Sequence, residues 1–150
     1  MNLALASNGV AINTATSSDE QFPASNVLDG NYKTFWLTTG MYPQEFIIAF
    51  PKPIQFKTIK TFTKSVKRIS VMRCEKNLPV SFEDVYDNNL EENGNVIQEE
   101  AEEFQTAQMA RYLKVVIKEG WEEFASVHMV EVRGTVAEGG GGMSMDGAMS

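Results

Sequence analysis

The sequence predicts an all-β domain, a β-sandwich of the jelly-roll type, on two observations. Hydrophobic residues recur with a period of two rather than three and a half, and the apolar segments are short. Between them lie Gly, Pro, Asn-Gly and Asp-Gly breaks of the kind that end strands. Because parallel folds alternate strands with longer helical segments, this spacing favours an antiparallel sandwich.

The clearest strand is residues 112–118, where Leu113, Val115 and Ile117 point to one face and Lys114 and Lys118 to the other. Further strands, rich in β-branched and aromatic residues, are predicted at 45–50, 54–62, 68–74, 80–86 and 127–134. The predicted breaks are Asn8-Gly9, Asp29-Gly30, Gly40, Pro51/Pro53, Pro79, Asn93-Gly94 and Gly120. One short helix is predicted over residues 99–107, EEAEEFQTA.

The chain of 150 residues suits one domain, which we place at residues 1–136. Residues 137–150 are predicted to be a disordered tail, because they contain four consecutive glycines and no β-branched residue. No apolar stretch approaches the ~20 residues of a membrane-spanning helix. With no secretion signal, no Asn-x-Ser/Thr sequon and a single cysteine, we expect a reducing compartment such as the cytosol.

Charge is unevenly distributed along the chain, whose formal net charge is −7. Residues 83–103 contain nine acids and no base, whereas residues 52–76 contain eight of the thirteen bases. The acidic segment is interpreted as a solvated loop or a partner-facing surface, and the basic segment as the solvated face of a sheet. This asymmetry suits a protein held between partners, and nucleic-acid binding is disfavoured.

Catalytic chemistry finds little support in the sequence. His128 is the sole histidine and Cys74 the sole thiol, and both lie in apolar strand patterns, so core positions are favoured over a Cys–His pair. Nucleophile-elbow, phosphate-loop, dinucleotide and zinc-protease motifs are absent from the sequence. An EF-hand beginning at Asp87 fails, because Glu92 and Gln98 occupy its glycine and bidentate-acid positions. The prediction is therefore that the protein is not an enzyme.

The segment NVLDGNYKTFW, residues 26–36, is rich in oxygen ligands. Asp29 supplies a carboxylate and Thr34 a hydroxyl, Gly30 permits a tight turn, and the carbonyls of Asn26, Asn31 and Thr34 could converge on calcium. From the residues alone, the simpler interpretation is a capped turn that precedes a buried Trp36.

The pattern D-G-x-x-x-T-x-W, formed by Asp29, Gly30, Thr34 and Trp36, resembles the early loop of discoidin-type jelly rolls, the factor V/VIII C-type or galactose-binding-like domains. Residues 110–117 and 124–134 are similar to the late core strand and the closing strand of that family. A closer resemblance is to the intraflagellar transport protein 25 family, also catalogued as heat-shock protein beta-11, a discoidin-fold subunit of intraflagellar transport complex B. It covers residues 3–136 and rests on ATSSDE (15–20), NVLDG (26–30), TFW (34–36), TTGMYPQEF (38–46), FASVH (124–128) and RGTV (133–136).

This resemblance implies a non-enzymatic adaptor in the cilium or flagellum and in the cytoplasm near the basal body. Members of the family form a heterodimer with a Rab-like small GTPase, intraflagellar transport protein 27, and join other complex B subunits. We therefore expect the same partners here, with no nucleic acid and no membrane insertion.

The resemblance also implies one calcium ion in the early loop. Asp29 and Thr34 would supply side-chain oxygens, while carbonyls would come from Asn26, Asn31 and a residue between Ser126 and His128. Many sugar-binding relatives have a glutamate where this sequence has Met129. Because fewer anionic ligands weaken calcium binding, the expected ion is weakly bound and structural.

Candidate partner-binding anchors are Phe104, Met109, Trp121 and Phe124, which lie near the acidic segment or the closing strand. The alternative is that all four belong to the core. Two other functions stay open at this point. One is a calcium-dependent carbohydrate- or lipid-binding discoidin module with Tyr42 stacking on a sugar, and the other is a small heat-shock-type chaperone, for which the residues offer no support.

Overall fold

The structure is a computed structural model that describes residues 2–16, 19–38, 41–92, 94 and 96–137. The predicted tail beyond Ala137, the break at Gly40 and Asn93 of the Asn93-Gly94 break lie outside these residues. The part described contains two short 3-10 helices, Ala6–Asn8 and Ala24–Leu28, and seven strands: β1 Ala11–Ala15, β2 Trp36–Leu37, β3 Gln44–Lys64, β4 Val66–Cys74, β5 Glu83–Asn89, β6 Gln98–Gly120 and β7 Ser126–Val136. Within it, no helix has the length and apolarity needed to cross a bilayer.

All strand pairings are antiparallel, and the two long strands belong to both halves of the molecule. The first half of β3 pairs with β1 and with the end of β6, and its second half pairs with the start of β6 and with β7. β4 joins the end of β6, β5 joins β4, and β2 joins β7. The predicted all-β jelly-roll sandwich is confirmed.

One apolar core lies between the two halves and draws on most of the strands. Leu113, Val115 and Ile117 are fully buried, so the predicted alternation in residues 112–118 is confirmed. Trp36 and Phe46 meet edge to face in this core, with ring centroids 5.0 Å apart. Burial of such side chains is the main stabilising contribution to a sandwich of this size.

The predicted helix over residues 99–107 is wrong, because this segment is the first part of β6. Its backbone pairs with Thr58–Thr63 of β3, and these long-range hydrogen bonds outweigh the helix preference of Glu and Ala.

The prediction that a strand ends at Pro51/Pro53 is also wrong. β3 runs through both prolines, although its ladder to β6 is interrupted between Ala49 and Ile54, where missing proline N–H groups are tolerated.

Strand pairing sets parts of the basic segment beside parts of the acidic segment. Across the β4–β5 ladder, Arg68 reaches Asp87 at 2.9 Å and Arg73 reaches Glu83 at 3.0 Å. Across β3–β6, Lys60 lies 3.4 Å from Glu99. Three bases of the basic segment therefore pair with three acids of the acidic segment across neighbouring strands.

Candidate functional site

The early loop is held on both sides by buried side chains. The 3-10 helix Ala24–Leu28 buries Val27 and Leu28 and ends at Asp29, and Gly30 then takes the left-handed conformation with φ 75°. After the loop, Trp36 is fully buried at the start of β2. These anchors leave the polar groups of residues 29–34 at the surface.

Three oxygens of this loop converge around the Thr34 hydroxyl. Thr34 Oγ1 lies 2.5 Å from Asp29 Oδ2, 2.9 Å from the Asn31 carbonyl oxygen and 3.3 Å from the Asn26 carbonyl oxygen. A hydroxyl has one proton to donate, so three acceptors share a single donor here. The four residues named from the sequence, Asn26, Asp29, Asn31 and Thr34, are therefore brought together.

Short-range hydrogen bonds fix this arrangement. The Asn31 N–H donates to Asp29 Oδ1 at 2.8 Å, and the Lys33 N–H donates to Asn31 Oδ1 at 3.0 Å. Asn26 Nδ2 donates to the Phe35 carbonyl oxygen at 2.9 Å. Among the residues that the structure describes, no basic side chain comes within 4 Å of Asp29. The Asp29 carboxylate is thus hydrogen-bonded to neutral donors rather than to a positively charged side chain.

His128 of β7 joins the closing strand to this loop. Its Nδ1 lies 2.8 Å from the Tyr32 carbonyl oxygen, and its Nε2 lies 2.9 Å from Ser126 Oγ. Since a carbonyl only accepts, Nδ1 carries the proton and the neutral ring accepts from the Ser126 hydroxyl at Nε2. Burial, with a smaller contribution from Lys64, lowers the pKa of His128 below its usual range, although the Tyr32 hydrogen bond opposes this shift. The two side chains are hydrogen-bonded to each other and to the loop. The prediction that a residue between Ser126 and His128 binds calcium therefore concerns main-chain carbonyl oxygens.

The donor set of the loop is one carboxylate, one hydroxyl and two carbonyl oxygens. Hard cations such as calcium bind oxygen ligands of these kinds, whereas zinc and similar metals favour nitrogen and sulfur. Across the described ranges, no group of three or more His, Cys, Asp or Glu is arranged to hold a metal ion. The set therefore fits a weakly held hard cation whose remaining ligands would be further main-chain oxygens or water.

The Cys74 thiol and the His128 ring lie in separate surroundings. Cys74 is buried, and its Sγ lies 3.2 Å from the Leu78 carbonyl oxygen and 3.1 Å from that of Val80. Because the partners of His128 are Tyr32 and Ser126, the two side chains do not form a catalytic pair. The core positions predicted for both are confirmed.

The four candidate partner anchors divide into two kinds. Phe104 packs against the core, edge to face with Phe56 at 6.0 Å, and Met109 is half-buried. Trp121 and Phe124, in the connection between β6 and β7, are 38% and 52% exposed. Lys67 Nζ lies 5.0 Å from the centre of the Trp121 ring. The exposed anchors are therefore on the β6–β7 connection.

Tyr42, considered above as a sugar-stacking residue, is turned into the molecule. Its hydroxyl donates to the Glu122 carbonyl oxygen at 3.0 Å, and the side chain lies so close to Gly120 that a Cβ there would overlap it. Burial raises the pKa of Tyr42, partly opposed by a hydrogen bond with Thr38. Its ring is half-buried and packed against the core, so it is not a free stacking platform.

Comparison with known proteins identifies the family of the chain. The F5/8 type C domain family matches residues 12–131 of the chain. The human intraflagellar transport protein 25 homolog is 38% identical over 136 residues, which cover 91% of this chain and 94% of that protein. The chain belongs to the intraflagellar transport protein 25 family.

A second member of the intraflagellar transport protein 25 family, from Chlamydomonas reinhardtii, is 39% identical over 127 residues. These cover 85% of this chain but 66% of the algal protein, slightly less than two thirds of its length. Among solved structures, the family 32 CBM from C. perfringens NanJ in complex with galactose has a TM-score of 0.73 and 22% identity, covering 88% of this chain and 98% of that one. At that identity, the likeness shows the fold alone.

Two features of this family member were not found from the sequence. The His128–Tyr32 contact joins residues 96 positions apart, and nothing local signals it. The inward orientation of Glu100 and Glu102 could have been found from the alternation of residues 98–104, had this segment been interpreted as a strand.

Proposed function

We propose that this protein is a non-enzymatic adaptor subunit of intraflagellar transport complex B in the cilium or flagellum. The observation that supports the proposal is the match to the human family member over more than nine tenths of both chains. The alignment spans nearly the whole length of the human protein rather than one segment of it. The separate surroundings of Cys74 and His128 agree with a non-catalytic role.

Within this role, the partner is a Rab-like small GTPase, intraflagellar transport protein 27, bound as a heterodimer. The β6–β7 connection is a candidate contact, because Trp121 and Phe124 expose aromatic surface beside Glu122 and Glu123. Aromatic anchors surrounded by charged residues are typical of protein interfaces. Phe104, packed on Phe56, supports the fold rather than the contact.

The early loop is proposed to hold a structural calcium ion. Its support is the convergence of oxygens from Asn26, Asp29, Asn31 and Thr34, where three acceptors share one hydroxyl proton. A cation at this place would relieve the crowding of oxygen lone pairs and neutralise the Asp29 carboxylate, which forms no ion pair with a described residue. The ion would stiffen the loop beside β7 and take no part in chemistry.

The partner is tested by affinity purification of the tagged full chain from ciliated cells, followed by identification of the co-eluting proteins. We expect a Rab-like GTPase in stoichiometric amount together with other complex B subunits. The double variant Trp121→Ala/Phe124→Ala should lower GTPase recovery at least about tenfold, which corresponds to roughly 1.4 kcal/mol. Leu78→Ala, which removes an exposed apolar side chain on the β4–β5 connection, is the control.

Recovery of no GTPase and no complex B subunit would contradict the adaptor role. Equal recovery with the wild type and with the Trp121/Phe124 variant would reject that surface while leaving the heterodimer intact. A glycan array at millimolar calcium is the complementary measurement, because strong binding there would instead favour a carbohydrate-binding module.

A further inference from the structure

An apolar groove of about 320 Å³ lies beside the proline-containing part of β3. Among the described residues, the pairing of β3 with β1 ends at Ala49, its pairing with β7 starts at Ile54, and its ladder to β6 is interrupted between these two positions. The groove therefore opens where neighbouring strands leave β3 uncovered. Its apolar wall consists of Leu3, Val10, Phe50, Pro51, Ile54 and Val136.

The described part of the chain ends at this groove. Val136, the last residue of β7, lines the groove and is 49% exposed. Ala137 is buried, and its N–H donates to the Pro53 carbonyl oxygen at 2.8 Å. This hydrogen bond holds the end of β7 against β3, so residues 138–150 begin directly beside the groove.

The sequence of residues 138–150, EGGGGMSMDGAMS, contains apolar side chains that suit such a groove. Methionine is long, unbranched and flexible, so it fills irregular apolar spaces well. Met143 and Met145 are two positions apart, and in an extended segment such residues point to the same side.

The segment is also long enough to reach back. Six residues separate Met143 from Ala137, which is a reach of roughly 20 Å when extended. Residues 139–142 are all glycine, and glycine adopts the turn conformations that reverse the direction of a chain. Met143 can therefore return to the groove beside which the segment begins.

The charges of the groove and the segment are complementary. Lys52 lines the groove and forms no ion pair with a described residue. Residues 138–150 contain two acids, Glu138 and Asp146, and no base. Asp146 directly follows Met145, so its carboxylate would lie close to a groove that holds the methionine. A lysine at the border of the groove would attract this segment and orient it.

We propose that residues 143–146 of this chain occupy the groove. The Met143 and Met145 side chains contact Val10 and Ile54, and Asp146 lies near Lys52. The segment by itself lacks an apolar surface to pack against, which is why it is predicted to be disordered, and the groove supplies that surface. This inference depends neither on the adaptor role nor on the loop at Asp29.

The connection within one chain favours this contact. A short flexible tether gives the segment an effective concentration in the millimolar range, so even a weak intrinsic affinity populates the docked form. Burial of the two methionine side chains favours docking, whereas the ordering of four glycines opposes it. The docked form is therefore sensitive to the loss of the two methionines.

The first test is NMR of the full chain, labelled at the methyl groups of Met, Val, Leu and Ile. We expect nuclear Overhauser contacts from the Met143 and Met145 methyls to Val10 and Ile54, and none from Met41, which is 87% exposed. The double variant Met143→Ser/Met145→Ser should shift the Val10 and Ile54 methyl signals. Met149→Ser makes the same chemical change four residues further on and should leave them in place.

The second test adds a synthetic peptide of residues 138–150, with the original sequence, to the full-chain double variant. Saturable shifts of the Val10 and Ile54 methyls are expected. Lys52→Gln should raise the Kd of the peptide about twofold to fivefold, because an exposed ion pair contributes little. Lys57→Gln, at an exposed lysine of β3 outside the groove, is the matched control and should leave the Kd unchanged.

Three results would overturn the proposal: no contacts from Met143 and Met145 to the groove, equal shifts in the double variant and in Met149→Ser, or no saturable binding of the peptide. Contacts between labelled and unlabelled copies in a mixed sample, lost on dilution, would overturn it in favour of a second copy as the occupant. Equal Kd values for Lys52→Gln and Lys57→Gln would overturn the placement of Asp146 near Lys52.

Discussion

Two carboxylates of this protein, Asp87 on β5 and Asp29 in the early loop, have opposite surroundings. Asp87 receives both Arg68 Nε at 2.9 Å and Arg68 Nη2 at 3.0 Å, and Lys118 Nζ lies 2.7 Å away. These hydrogen bonds, from Arg68 first and Lys118 second, lower the pKa of Asp87 to about 2. Asp29 instead accepts from the Asn31 N–H and the Thr34 hydroxyl, which are neutral groups.

The difference shows two ways of holding a surface carboxylate. At Asp87 the chain supplies its own counter-charge, because β4, β5 and β6 lie side by side there. At Asp29 the loop is fixed by buried Val27, Leu28 and Trp36 and by local hydrogen bonds. Among the described residues, the loop is thus held without a counter-charge at Asp29, and the calcium ion proposed above would supply one.

The largest effect is expected from Trp36→Ala, which removes the main apolar anchor of the loop. Trp36 is fully buried against Phe46, so we expect a loss of about 3–5 kcal/mol in the free energy of unfolding. Urea denaturation measures this. Asp29→Asn, in calcium-free buffer, is the control and should cost less than about 1 kcal/mol, because it leaves the anchors in place. A loss below about 1 kcal/mol for Trp36→Ala would show that the loop is held in another way.

A smaller effect is expected from Asp87→Asn, of about 1 kcal/mol, because the ion pairs are partly exposed and screened by solvent. The folded pKa is lowered, so the stabilisation is present above the unfolded pKa near 4 and is lost as the pH falls toward about 2. The melting temperature of the wild type should therefore fall more steeply between pH 5 and pH 2 than that of the variant. If the melting temperatures of the wild type and the variant changed equally with pH, the ion pairs of Asp87 would not stabilise the fold.

The smallest effect is expected at His128, and it falls in a different pH window. Its folded pKa is lowered, chiefly by burial, so the unfolded state binds the proton more readily and stability decreases as the pH falls through the unfolded pKa near 6.5. The change is modest because the Tyr32 hydrogen bond survives protonation of the ring. The His128→Gln variant should show a smaller change in melting temperature between pH 7.5 and 5.5 than the wild type. An equal slope in the variant would assign the effect to other groups.

The parts of the fold that follow from local patterns were predicted from the sequence. The alternation of Leu113, Val115 and Ile117 marks a strand with one buried face, and the oxygens of Asp29 and Thr34 lie close in sequence before a Trp. Local spacing also determines the convergence of Asn26, Asp29, Asn31 and Thr34, since the whole group lies within nine residues.

The parts that depend on distant pairing were not predicted. Residues 99–107 have helix-favouring composition, but the ladder to Thr58–Thr63 makes them a strand and turns Glu100 and Glu102 inward. The same register sets the basic and acidic segments side by side. Which strands become neighbours depends on closing long loops around one core, and the composition of a segment does not contain that information.

The availability of Asp29 to a cation is tested most directly by calorimetric titration of the full chain with calcium, using Asp29→Asn and Asp87→Asn as a matched pair. We predict one bound ion in the wild type and in Asp87→Asn, with a Kd of about 10⁻⁴–10⁻³ M because the loop supplies a single carboxylate. Asp29→Asn should abolish the binding, together with the rise of about 1.4 kcal/mol in the free energy of unfolding expected at tenfold the Kd. Absence of binding to the wild type, or equal binding to Asp29→Asn, would contradict a cation site in this loop.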